Sequence, residues 1–303
     1  MKIHLDTDLG GDIDDLCALA MLLRWPGVEV TGVTTCAEAG GRRAGYVRRA
    51  LALEGRGEIP VAAGAEAPSE LAYPDEERYW GGPVEPSPGG AGEALSLLEQ
   101  SITRGAVVTG IGPYTNLHLL EQRRPGLLRG AGLFLVGGAF RPAPEGFPVW
   151  PEDDDYNVQL DAVASRHVIA RCRPTLVPLS ATAQTFLRAA HLERLEGAGA
   201  LGRLIASQAR AFAADEGFAE RYGAKYAGLP RDIINFQHDA LGCAVALGWA
   251  EGVEMAEVAL RLEPDGRGLR QTVGPGGTPT RVVTKIDGER FSDFWLDTVA
   301  GKA

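Results

Sequence analysis

The sequence is short of basic charge, has few cysteines and lacks any long apolar run. Each shortage removes a class of protein. Lys and Arg number 30 against 40 Asp and Glu, a formal net charge of -10 with no basic tail or stripe, so a phosphate-backbone partner such as nucleic acid is not expected. Cys17, Cys36, Cys172 and Cys243 are far apart and form no CxxC pair. They read as reduced thiols of a cytoplasmic protein, not as a zinc site or a disulfide framework. No apolar segment approaches the ~20 residues that span a bilayer. The chain starts almost directly in a strand-like run without signal-peptide architecture. The expectation is a cytoplasmic protein with neither a membrane nor a nucleic acid among its partners.

What is present is an ordinary enzyme composition: 303 residues, 45% hydrophobic, 23% charged, and 40 Gly that suggest many tight loops. Strand-like runs at Lys2–Asp6, Val28–Thr35, Pro60–Ala63, Ala106–Thr109, Leu133–Val136 and Thr175–Pro178 alternate with helical patterns. The helices are expected at Asp14–Arg24, Arg42–Glu54, Gly92–Gln100, Tyr114–Glu121, Ala162–Ala170 and in one long stretch from His191 to Ala214. Such alternation indicates βαβ units and a mostly parallel sheet, whose functional loops gather beyond the carboxyl ends of the strands. The tail differs, with strands at Val253–Leu262 and Arg281–Ile286 around the turn GPGGTP, then a helix at Asp293–Val299. Ala65–Gly92 is rich in Pro, Gly and Glu and reads as an irregular loop. No repeat or linker divides the chain, so residues 1–303 read as one α/β domain, a mixed, mostly parallel central sheet flanked by helices.

The opening stretch, DTDLGGDIDDLCAL, crowds Asp6, Asp8, Asp12, Asp14 and Asp15 against the first core strand. A plain account is an N-cap with solvated loop charges, since carboxylates gain from a helix N-terminus. It covers two aspartates, three at most. Converging like charges beside a buried strand raise one another's pKa, and a divalent cation removes that cost. With only oxygen donors on offer, Ca²⁺ or Mg²⁺ is favoured over zinc. The spacing is not that of an EF-hand loop, which needs a Glu at its twelfth position. A strand-end DxD also opens phosphatases of the haloacid dehalogenase type, but those continue with Gly and Thr or Val, not Leu9-Gly10-Gly11.

The same stretch resembles the N-terminal fingerprint of the inosine–uridine nucleoside hydrolase family. Further matches follow in order: VTGVTTCA, PVAAG, IGPYTNLHLL, LFLVGGAF, DDDYNVQLDAVAS, QHDALGCAVAL and FSDFWLDTV. The resemblance implies a Ca²⁺-dependent hydrolase of an N-glycosidic bond, acting on a nucleoside or related riboside through metal-activated water, and assembled as a homo-oligomer, dimer or tetramer. It places Asp8, Asp15, Asp239 and the carbonyl of Ile111 on the metal, with Asp12 an alternative ligand because GGDI is two residues longer than usual. Asp8 would also be the general base, and Asp6 would support the ligands. Asp14, Asp155 and Asn157 would face the sugar, and His238 would be the acid near the leaving base. These residue types suit a transition state resembling an oxocarbenium ion, stabilised by carboxylates and attacked by activated water.

Other residues are less settled. Tyr222 and Tyr226 fall where the family places aromatics over the base, although tyrosines four apart also pack on one helix face. Gly137-Gly138 reads as a tight turn after a strand. Arg42, Arg43, Arg48 and Arg49 read as a solvated helix face. Departures from the family concern the sugar pocket. No Asn follows the second strand, where Glu38 is the candidate to fill the space. Trp150 in FPVWP either covers the site or anchors its loop, and Asp155 replaces a Glu. A Mg²⁺-dependent phosphohydrolase and a sugar- or nucleoside-binding protein without turnover are the alternative functions.

Overall fold

The structure, a computed structural model, describes residues 1–66, 77–266 and 268–302. The first strand, β1 (Lys2–Thr7), shows how pattern becomes architecture. Alternate side chains leave a strand on opposite faces. Ile3 and Leu5 enter the core that the helices Asp14–Arg24 and His238–Ala246 share. His4 and Asp6 point the other way. There Nδ1 of His4 meets Ser101 Oγ at 2.8 Å, its Nε2 meets Thr34 Oγ1 at 3.0 Å, and Asn116 Nδ2 donates to Asp6 at 2.8 Å.

The remaining strands are β2 (Glu29–Thr35), β3 (Val61–Ala63), β4 (Val107–Gly110), β5 (Leu133–Val136), β6 (Thr175–Val177), β7 (Phe186–Arg188), β8 (Ile233–Phe236), β9 (Glu254–Asp265), β10 (Gly268–Val273) and β11 (Thr278–Lys285). Eight of them join β1 in one nine-stranded sheet in the order β10-β9-β11-β6-β5-β4-β1-β2-β3, and β7 pairs with β8. β1 to β6 pair in parallel and β11 continues that sense on β6, whereas β9 and β10 add antiparallel at the edge. This is the expected mixed, mostly parallel α/β sheet. The chain runs outward from β1 to β3, then returns beside β1 as β4 and runs outward the other way. The reversal opens a crevice at the carboxyl ends of β1 and β4, the usual ligand position in such sheets.

Several local expectations are corrected. The long helix from His191 breaks into Leu192–Gly197 and Gly199–Glu216, because Gly199 takes a left-handed φ of +78° between them. The tail holds an extra strand, β10, upstream of the GPGGTP turn. Strands β7 and β8 are three and four residues long, too short for a periodicity to register. The terminal helix starts earlier, at Gly288, and runs to Ala300, with Asp287 capping it. Trp295 of that helix donates its indole N–H to the Cys17 carbonyl at 3.0 Å, fixing the helix Asp14–Arg24 from behind. Of the irregular segment Ala65–Gly92, residues 67–76 lie outside the described residues. Among the described residues no helix is long and apolar enough to cross a membrane.

Candidate metal and substrate site

The helices Asp14–Arg24 and His238–Ala246 pack on one another, and each begins with acid in its first turn: Asp14 and Asp15 on one, Asp239 on the other. Helix N-termini carry exposed N–H groups and a positive partial charge, so each start tolerates a carboxylate. Convergence of the two starts brings ligand oxygens of Asp14, Asp15 and Asp239 within 4.8 Å of one another, all three side chains buried. Burial raises all three pKa values well above the usual carboxylate range. Neighbouring acids add to it: Asp12 and Asp15 for Asp14, Asp8 for Asp15, and Asp14 and Asp15 for Asp239. Three buried oxygen donors that resist ionising together suit one hard divalent cation, which repays their repulsion.

Each remaining aspartate of the opening motif has a distinct place. Strand parity puts Asp6 on the far face, where Thr34 and Asn116 donate to its Oδ1. Its Oδ2 is buried without a hydrogen-bond partner, and burial lifts its pKa to about 7. Asp8 lies just past the end of β1 on the cavity wall. The approach there is so close that a Cβ at Gly112 would sit 2.6 Å from Asp8 Oδ1. Asp12 also lines the cavity, but its Oδ1 accepts from the Asp14 backbone N–H at 3.1 Å and from the Asn235 amide. It therefore ties the start of the helix to β8. Thr7 donates to Asp15, a contact the DTD motif carried without drawing attention.

The crevice is a cavity of about 430 Å³, within the ~300–1,000 Å³ range of small-molecule sites. Asp8, Asp12, Asp14, Asp15, Ile111, Asp155, Asn157, His238 and Asp239 all line it. Asn157 Nδ2 donates to the Ile111 carbonyl at 2.8 Å and to the Val136 carbonyl at 3.1 Å, joining the ends of β4 and β5. Asp155 accepts from the Gly138 N–H at 2.7 Å and from Gln271 at 3.2 Å, and burial raises its pKa to about 6. Gly138 makes that turn at φ +118°, open to glycine alone without strain. His238 is half-buried against Phe236 and Trp150, with Nδ1 2.6 Å from Thr182 Oγ1, and burial lowers its pKa to about 4.

Two expected sugar or base contacts are not brought to the cavity. The Glu38 carboxylate accepts from Thr35 Oγ1 and from the backbone N–H groups of Ala39, Arg43 and Ala44. It caps the helix Arg42–Leu53, whose start, Gly41, supplies no side chain of its own. Tyr226 stacks on Tyr222 at 6.3 Å within an aromatic cluster that includes Phe236. Trp150 belongs to the same cluster, edge-on to Phe236 at 5.0 Å, and anchors its loop. Arg43 corrects the solvated-face expectation. It is buried and donates to the Asp8 and Ala37 carbonyls, holding the turn after β1. Tyr79, Phe212, Glu216, Phe218 and Arg221 also line the cavity; no motif pointed to them.

The sequence profile described as inosine-uridine preferring nucleoside hydrolase matches residues 3–293. The pyrimidine-specific ribonucleoside hydrolase RihA of Salmonella paratyphi C is 30% identical over 214 residues, 66% of this chain and 67% of that protein. A solved plant nucleoside hydrolase, PpNRh1, has a TM-score of 0.76 at 20% identity, covering 99% of both chains. The purine-preferring ribonucleoside hydrolase from Gardnerella vaginalis gives 0.76 at 20% identity, covering 99% of this chain and 98% of that one. The two structural likenesses bear on the fold.

Proposed function

The chain belongs to the inosine-uridine preferring nucleoside hydrolase family, enzymes that act on N-glycosidic bonds, and from that premise we propose that it is a Ca²⁺-dependent hydrolase of a nucleoside or related riboside. The observation that carries the proposal is the trio Asp14, Asp15 and Asp239, buried within 4.8 Å at the edge of a substrate-sized cavity. The resemblance gives Asp15 and Asp239 as ligands, their nearness in the trio supports that reading, and we place both on the cation. Asp14 adjoins them where a sugar diol could share the ion. The Ile111 carbonyl retains a second lone pair beside the one Asn157 uses, so it too can ligate. A cation held there lowers the pKa of water and offsets the clustered negative charge.

The chain's own groups would do the rest. Asp8, whose carboxylate leaves no room for a side chain at Gly112, takes the proton of the attacking water as general base. The carboxylates of Asp14 and Asp155 stabilise positive charge growing on the sugar as the C–N bond lengthens. His238 stands on the aromatic side of the cavity, with Nδ1 held by Thr182 and Nε2 left to face the leaving base. We extend the proposal to one folding unit over residues 1–303 and to a dimer or tetramer; a single calorimetric transition and a light-scattering mass of two or four chains are the expected results. The deciding experiment is release of reducing sugar from a nucleoside panel. Turnover abolished by chelator, restored by Ca²⁺ and lost in Asp8→Ala is expected. Cleavage of p-nitrophenyl phosphate with no nucleoside turned over would refute the reading.

A further inference from the structure

Among the described residues lining the cavity, one is a lysine or arginine. Arg221 follows the long helix Gly199–Glu216 on the turn Ala219–Gly223. Its guanidinium is held in place from two sides. Nη1 donates to the Glu216 carbonyl at 3.2 Å and to the Glu216 carboxylate at 2.9 Å. The guanidinium carbon also lies 5.3 Å from the Phe218 ring centroid and 5.4 Å from that of Tyr222, within the range of a cation–π contact. These restraints occupy Nη1 and one side of the ion, whose side chain is 52% exposed. The Nε–H and Nη2–H donors have no hydrogen-bond partner among the described residues. They form the parallel fork that arginine uses to grip two acceptors at once.

The position of the fork narrows what it can read. The carboxylates that suit a sugar and a cation come from β1 and from the starts of two packed helices. Arg221, Phe212 and Phe218 come from the other wall, where a flat base can lie against aromatic rings. A 6-oxopurine presents O6 and N7 on one edge, two acceptors spaced for an arginine fork. Adenine replaces O6 with an amino donor, which faces the fork with like polarity. Uracil separates its two carbonyl oxygens by an N–H, so the fork meets one acceptor only.

We propose that Arg221 is the specificity-determining residue of this site and that it selects nucleosides with a 6-oxopurine base by gripping O6 and N7. The inference rests on the hydrolase reading and deepens it. It also fits the electron flow of the cleavage. Water oxygen bonds to C1′ and gives its proton to Asp8. The C1′–N9 bond breaks, and its electron pair passes into the purine ring system, raising the negative charge on N7 and O6. The guanidinium therefore holds the leaving base more tightly as it departs, and the base anion then takes up a proton.

The experiment compares wild type, Arg221→Gln and Arg221→Lys, all Ca²⁺-loaded, on inosine, guanosine, adenosine and uridine, and titrates each protein with free hypoxanthine. A bidentate contact of this kind is worth about tenfold to a hundredfold in discrimination. The inosine-to-uridine ratio of kcat/KM is expected to fall by that factor in Arg221→Gln. Lysine should recover only part of it, because an ammonium has charge without the fork. Hypoxanthine should bind the Gln variant more weakly by a similar factor. An unchanged ratio, a wild-type preference for adenosine, or equal hypoxanthine affinity in wild type and variant would overturn the proposal. A protein that turns over no nucleoside would refute the hydrolase reading alone, and the hypoxanthine titration would still decide the role of Arg221.

Discussion

Replacing Asp239 with Asn tests whether the buried carboxylates form one cation site. Two unit charges 4.8 Å apart repel by about 3.5 kcal/mol at an effective dielectric of ~20. Three ionised carboxylates would cost about 10 kcal/mol together, comparable with the ~5–15 kcal/mol that holds a whole protein folded. The metal-free protein must therefore retain protons there, as the raised pKa values of Asp14, Asp15 and Asp239 indicate. Because these folded-state pKa values lie above the unfolded ones, their stability contribution is complete below about pH 3.8. It is lost as pH rises through the folded values. Chelated wild type should thus melt at progressively lower temperature from pH 5 to pH 8. Ca²⁺ at a hundredfold excess over its Kd should restore about 2.7 kcal/mol. For 303 residues, that corresponds to about 4 °C in Tm at ~2.1 cal/mol/K per residue. Asp239→Asn removes two of the three repulsions, so its chelated form should show a shallower pH slope and little response to Ca²⁺. Calorimetry across pH with chelator or Ca²⁺ reads all of this. A wild-type melt indifferent to both, or a variant with the same Ca²⁺ shift, would refute the reasoning.

Three further outcomes are expected. Burial lowers the His4 pKa to about 3, below its unfolded ~6.5, so the stability it contributes is complete above pH 6.5 and lost as pH falls toward 3. The loss reaches at most ~5 kcal/mol, and His4→Leu should remove that part of the acid slope in denaturant titrations; an unchanged slope would count against it. Gly112→Ala puts a methyl 2.6 Å from both Asp8 Oδ1 and Cys36 Sγ, costing ~1–3 kcal/mol by overpacking and suppressing turnover more than nucleoside binding, as Tm and a KM-against-kcat comparison will show. Arg43→Met strips the donors from the Asp8 and Ala37 carbonyls and should cost about 2 kcal/mol, with turnover falling; a variant with wild-type Tm and activity would show that the turn holds itself.

Chain-local rules carried much of the fold. The two-residue alternation in KIHLDT, the helical stripe after Asp15 and the strand–helix rhythm to β6 made the parallel sheet legible. Each depends on neighbours a few residues away. Elements below that length scale, β7, β8 and the break at Gly199, were not legible; nor was β10, which pairs along the edge that β9 offers. The site divides in the same way. The acid-rich opening was visible as residues with no cheap explanation, whereas His238-Asp239, which alone reads as a helix start, was picked out by the family resemblance.

Which acids converge was decided in three dimensions. Strand parity sent Asp6 to the far face, Asn235 and the Asp14 backbone engaged Asp12, and helix packing brought Asp239 to Asp14 and Asp15 across more than two hundred residues. Glu38 filled the empty position in the motif yet went to a helix cap, because four donors near it in the chain outcompete a distant sugar. Arg221 had no motif at all; its cavity wall exists only once the long helix packs against the helix Asp14–Arg24 and β8. Sequence by itself determined which residues could not lie comfortably in water or in a core. The tertiary structure decided which of them meet, since charges and hydrogen bonds act across space and a chain reports only the order of its residues.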